Sequence, residues 1–186
     1  MKKRTLALLL ALVLVIGVAA GGTVAWLTAK SDTVVNTFTY GDINITLAET
    51  TGDTYKIIPG VDIAKDPKVT VEAGSEACWL FVRVAEENWP TATENGTRKV
   101  NYAIADGWTK LEDGVYYREV AADTADTSFN VLKDNVVTVS ENLTKTDINN
   151  ITTQPKLTFT AYAVQKDGIA DAATAWSKIS TTPSNP

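Results

Sequence analysis

Apolar and polar residues alternate with a period of two along most of the chain. Ile43-Asn44-Ile45-Thr46-Leu47 alternates over five positions, and Lys68-Val69-Thr70-Val71-Glu72 repeats the pattern. Leu157 to Val164 alternates as well. Successive side chains of a strand point to opposite faces, so this pattern predicts strands with one face buried. Ala77 to Val84 is more continuously apolar, as expected of a central strand covered on both faces. Trp108 to Val120 reads as a hairpin turning at Glu112-Asp113-Gly114, because Asp-Gly supplies the positive φ that a tight turn needs. Val131 to Val139 carries Lys133-Asp134-Asn135 in its middle and predicts two short strands. Glu86 to Arg98 is polar, contains Trp89-Pro90 and Asn95-Gly96, and reads as a loop. Helical spacing is confined to Asp171–Ile179, where Ala172, Ala175, Trp176 and Ile179 share one face. The tail 181–186 has the composition of a disordered end. The fold class expected is all-β: a single antiparallel sandwich over residues 26–180 with a short C-terminal helix.

The N-terminus breaks this pattern. Met1-Lys2-Lys3-Arg4 is followed by an almost wholly apolar run from Leu6 to Ala20 and then by Gly21-Gly22-Thr23-Val24-Ala25. A basic start, an apolar stretch and a small-residue zone are the layout of a secretory signal peptide. Residues 1–25 are therefore expected to be removed between Ala25 and Trp26 by a signal peptidase. The Gly-Gly-Thr break argues against a retained anchor, so no stable membrane span is expected after cleavage. The rest of the chain is expected to be secreted, extracellular or attached to the cell surface.

Charge sharpens this picture. The 186 residues carry 17 basic and 22 acidic groups. Without Lys2, Lys3 and Arg4 the remainder holds 14 basic against 22 acidic groups, a net −8. Such a chain repels nucleic acid. Histidine is absent and Cys78 is the one cysteine. That removes the usual general base, the Cys/His zinc sites and any intrachain disulfide. Cys78 sits in the apolar strand and reads as a small buried hydrophobe.

The remaining chemistry is carboxylate chemistry. Asp62 with Asp66, Glu86-Glu87, Glu112-Asp113 and Asp123 with Asp126 are close in sequence, but no spacing marks a pair facing across a cleft. Asp123–Asp126 could offer oxygens to calcium, although no twelve-residue loop of the helix-loop-helix type is present. The four Asn-x-Thr triplets, such as Asn142-Leu-Thr144, are consistent with chance in a chain of 27 threonines. Trp89, Trp108, Tyr116 and Tyr117 are candidates for a sugar- or peptide-binding surface. Neighbours such as Tyr116 and Tyr117 point to opposite faces, so at least one belongs to the core. No catalytic residue, metal ligand or cofactor is expected.

Three segments resemble the TasA/camelysin family of secreted Gram-positive proteins, whose signal peptides are of the SipW-cognate type. These are Gly21 to Leu47, which joins the Gly-Gly-Thr-x-Ala zone to Asn36-Thr-Phe-Thr-Tyr-Gly41; Ile58 to Val71 leading into Cys78–Val84; and Leu157–Gln165. The resemblance implies a jelly-roll-like sandwich that polymerises into biofilm-matrix fibres by donor-strand exchange. It makes residues 26–40 the donor segment, with Val34, Val35, Phe38 and Tyr40 as the self-assembly strand and Val34 and Phe38 as anchors. The implied partners are further copies of the chain or related matrix proteins. A peptidase activity attributed to some camelysin-like relatives does not carry over, because zinc peptidases ordinarily use histidine ligands. The alternative is a monomeric secreted sandwich that binds a glycan or protein.

Overall fold

The computed structural model describes residues 42–52, 54–149 and 154–181. The chain divides after Tyr40 into two units, and the described residues belong to the second. Ala25, Trp26, Val34, Val35, Phe38 and Tyr40 lie outside the described residues, as do 182–186 of the tail.

The described chain is built mainly of antiparallel sheet. Its strands are β1 (Ile45–Ala48), β2 (Ile63–Ala64), β3 (Lys68–Val71), β4 (Cys78–Glu87), β5 (Thr93–Glu94), β6 (Thr97–Arg98), β7 (Val100–Asn101), β8 (Thr109–Glu112), β9 (Val115–Val120), β10 (Thr127–Asn130), β11 (Val136–Val139) and β12 (Lys156–Gln165). A short helix α1 (Lys145–Asn149) precedes β12, and α2 (Ala172–Thr181) follows it. The largest sheet has the order β12-β4-β9-β8, with β1-β3-β10 and β2-β11-β7 as smaller sheets and β5-β6 as a ribbon.

Strand β4 organises the layers. It pairs with β12 from Cys78↔Gln165 to Glu87↔Lys156 and with β9 from Cys78↔Val120 to Arg83↔Val115. Cys78, Leu80, Val82 and Val84 are buried with Val69 and Val71 of β3. The sheet β1-β3-β10 therefore faces the larger sheet. Trp79 and Phe81 point the other way and are buried with Ala172 and Ala175 of α2. Both faces of β4 are covered, which is why its sequence is continuously apolar. A third cluster, Val100, Leu132, Val137, Val139 and Leu143, fills the space beneath β2-β11-β7.

Helix α2 forms where its spacing predicts. The Asp171 carboxylate accepts a hydrogen bond from the Thr174 N–H at 2.7 Å, so Asp171 caps the first turn. The Trp176 ring lies 5.2 Å from Phe81 and 5.5 Å from Tyr162. The hairpin β8–β9 also forms as expected around Asp113-Gly114.

Three segments depart from expectation. β4 runs on through Glu87, and Asn95-Gly96 turns a hairpin between β5 and β6 with φ of 49° and 80°. Residues 86–98 are thus not a plain loop, because two consecutive positive φ angles close a two-residue turn even between polar strands. The stretch 131–139 does break at Lys133–Asn135, which forms a single 3-10 turn with Asp134 at φ 56°. Only its second half is a strand: Val131 and Leu132 are buried, with Leu132 making an isolated bridge to Ile104. Helix α1 was not expected. Thr144 and Asp147 cap it reciprocally: Thr144 Oγ1 accepts from the Asp147 N–H at 3.2 Å and the Asp147 carboxylate accepts from the Thr144 N–H at 2.9 Å. This is a capping box with aspartate in the third helical position. These bonds and Lys99 hold the Asp147 carboxyl down at about 2.

Candidate functional site

The candidate carboxylate pairs do not converge on a cleft. Asp62 accepts the Val139 N–H at 3.1 Å, while Asp66 accepts from Thr50 and Thr51. Glu86 holds Arg98 and Tyr102, each at 2.7 Å, and Glu87 pairs with Lys156 at 3.6 Å. Glu112 accepts the Trp176 indole N–H at 2.9 Å and Asp113 pairs with Lys110 at 2.7 Å. Asp126 accepts the Ala73 N–H and Asp123 the Ala125 N–H, so both oxygens serve turns. Among the described residues no three acidic or cysteine side chains gather into a metal site. Cys78 is buried, and burial pushes its thiol up to about 11, far from the thiolate that a nucleophile requires.

The candidate aromatics separate into different roles. Tyr116 packs on the β3 side of the large sheet and Tyr117 on the α2 side, 5.9 Å from Trp79 and 6.3 Å from Phe81. Trp108 is half-buried over Phe129 and donates its indole N–H to the Asn130 carbonyl at 2.8 Å. Trp89 lines a cavity.

That cavity has a volume of about 810 Å³. Ile57, Ile58, Ile63, Trp89, Val137 and Leu157 supply its apolar wall, and Tyr55, Lys56, Lys65 and Lys156 its polar rim. Strand β12 forms one border. It pairs with β4 on one side and with no strand on the other among the described residues. Ile58, also in the wall, opens the turn Ile58-Pro59-Gly60-Val61, closed by the Val61 N–H donating to the Ile58 carbonyl at 3.0 Å. Ile58, at the cavity wall, is 48% exposed, and Val61 at the other end of the turn is 52% exposed.

Several bonds hold the groove's shape. Lys65 is buried, and its ammonium bonds both Glu49 oxygens at 2.7 and 2.8 Å while lying 4.8 Å from the Tyr55 ring centre. Trp89 donates to the Val100 carbonyl at 3.2 Å and stands edge-on to Tyr102 at 5.9 Å. Burial favours the neutral form of Tyr102 and its bond to Glu86 adds to this, so the phenol titrates well above its ordinary range. Burial by itself would raise Glu86, but the bonds from Arg98 and Tyr102 outweigh it and keep that carboxyl low.

Asp66 ties residues 50–51 to the segment that follows β2. Hydrogen bonds from the Thr50 hydroxyl and N–H, then from Thr51, hold its carboxyl well below the usual range. A carboxyl held low binds its proton more weakly in the folded protein than in the unfolded chain. It therefore stabilises the fold above the ordinary carboxylate pKa of about 3.9 and loses that contribution as pH falls below it. Asp66→Asn is expected to flatten the acid limb of a plot of Tm against pH, leaving the region above pH 6 parallel to the parent. An unchanged slope below pH 4 would show that the Thr50 and Thr51 bonds do not form in solution.

Sequence reasoning picked out Trp89 but missed the groove, because its walls come from segments between residues 54 and 158. The available signal was Ile57-Ile58-Pro59-Gly60-Val61, an apolar run interrupted by a turn. No family model matches the chain, and no curated protein or solved structure matches it.

Proposed function

We propose that the protein is a secreted, non-enzymatic surface or biofilm-matrix subunit of the TasA/camelysin type, with a jelly-roll-like sandwich that polymerises by donor-strand exchange. Signal peptidase cleavage after Ala25 frees Trp26 and the segment that follows it. Residues 26–40 of one copy then enter the groove of the next. The observation that supports this best is the apolar groove lined by the exposed Ile58 and by β12, whose outer edge pairs with no strand among the described residues. A free edge offers unpaired backbone donors and acceptors, and an apolar trough beside it takes every second side chain of an added strand. In an extended segment Val34, Phe38 and Tyr40 share one face and Val35 lies on the other. A head-to-tail contact of this kind does not close, so it propagates into a filament. Among the described residues no helix is long and apolar enough to cross a membrane.

Two chains test this, one beginning at Trp26 and one at Gly41. The longer chain is expected to elute as large species and to form filaments under electron microscopy, and the shorter to stay discrete. Ile58→Asp in the longer chain is expected to shorten or abolish the filaments. If both chains behave as identical monomers, donor-strand exchange is wrong. A monomer of either length that binds polysaccharide or protein favours a secreted binding module instead.

A further inference from the structure

Lys65 and Arg118 lie against aromatic rings at opposite sides of the facing sheets, and among the described residues only Lys65 of the two is paired with a carboxylate. In these sheets β1 lies over β12 and β10 over β9. Beside β1 and β12, Lys65 stacks near Tyr55 and Phe159 and is paired with both oxygens of Glu49. On the opposite side, Arg118 of β9 places its guanidinium 3.7 Å from the Phe129 ring centre and 5.4 Å from that of Trp108. Its Nε is buried with no acceptor. Burial lowers its proton affinity, and among the described residues no carboxylate pairs with it. A half-buried guanidinium without a counter-ion is costly in a chain with 22 acidic residues.

Arg118 as a whole is half-buried, and its surroundings fix the guanidinium in position. The rings of Trp108 and Phe129 meet edge-on, 6.5 Å apart, and hold it in place. Gly107, at φ +87°, lies so close that a Cβ there would stand 3.1 Å from Arg118 Nη2. The neighbouring strand β10 pairs with β3 on one side and with no strand on the other among the described residues. On that side the Ala105 N–H donates to the Val131 carbonyl and the Trp108 indole N–H to the Asn130 carbonyl, so it is the stretch 127–129 that has no strand beside it there among the described residues.

We propose that Arg118, clasped by Trp108 and Phe129, is a docking point for the carboxylate of an acidic residue carried on an extended peptide that adds to the free edge of β10. The free edge supplies backbone pairing and the unmatched guanidinium supplies selection for an acid, through a bond stronger than a neutral one. This site lies on the opposite side of the sheets from the groove that takes residues 26–40, so it stands or falls independently of strand exchange.

The test uses the chain from Trp26 and a fluorescent peptide, Thr-Val-Thr-Glu-Val-Thr, read by anisotropy. The Glu→Gln version of the peptide is expected to bind about tenfold more weakly, the worth of one charge-assisted contact. Arg118→Gln is expected to bring both peptides to the same weak level, while Arg118→Lys keeps part of the preference. The peptide-side change leaves the protein untouched, so it decides the matter even where an Arg118 variant folds poorly. Equal binding of the two peptides, or no binding of the acidic one at millimolar protein, overturns the proposal. Oligogalacturonate that binds in an Arg118-dependent way while the peptide does not would also overturn it and assign the site to an acidic polysaccharide.

Discussion

Phe81→Ala is expected to destabilise the protein by about 3–5 kcal/mol, the cost of emptying a well-packed aromatic site. Phe81 is fully buried in the middle of β4. Its ring touches the α2 layer through Trp176 at 5.2 Å and the sheet through Tyr117 at 6.3 Å. Truncation would remove the contact that joins the helix to the sheet and leave a cavity that neither strand pairing nor the helix can collapse to fill. Native stabilities of about 5–15 kcal/mol make this a large fraction of the total. Urea unfolding should show a lower midpoint at an unchanged slope. A loss below about 1 kcal/mol would mean that α2 does not rest on this face.

Gly114→Ala is expected to cost about 2–4 kcal/mol. Gly114 closes the β8–β9 turn at φ +74°, and a Cβ there would lie 2.6 Å from the Val84 carbonyl oxygen. The Gly114 carbonyl also accepts the Val84 N–H at 2.7 Å, so the clash falls on a bond that sets the β4–β9 register. Two penalties add: the left-handed backbone for an L-residue, and the displacement of a central strand. Gly168→Ala is the control. It has a similar φ of +76° and nothing within 4 Å of the added carbon, so it should cost only about 1 kcal/mol. Equal losses in the two variants would show that close approach to β4 is not what Gly114 provides.

Much of the fold was legible because its signals are local. Alternation located β1, β3 and β12, the continuous apolar run located β4 as a central strand, and Asp113-Gly114 located the β8–β9 turn. The α2 face was visible in the spacing of Ala172, Ala175, Trp176 and Ile179. Misreadings arose where a local rule was applied too weakly. Asn95-Gly96 is as good a turn as Asp113-Gly114, but its flanking strands are polar. Thr144 and Asp147 form a capping box, but five helical residues are too few to show a period.

The amino-acid sequence by itself determined the β class, the expectation of export, and the absence of histidine chemistry and of an internal disulfide. These follow from composition and from patterns a few residues long. Only the tertiary structure decided which strands meet. β3 lies between β1 and β10, and its Thr70 shares a hydrogen bond with Ser128, 58 positions away. It alone decided that Glu49 neutralises Lys65 while Arg118 has no carboxylate beside it among the described residues, and that Tyr116 and Tyr117 serve different layers. The groove likewise exists only after distant segments assemble. Burial and charge pairing depend on what surrounds a side chain in space, and strand pairing across many residues leaves no local trace in the sequence.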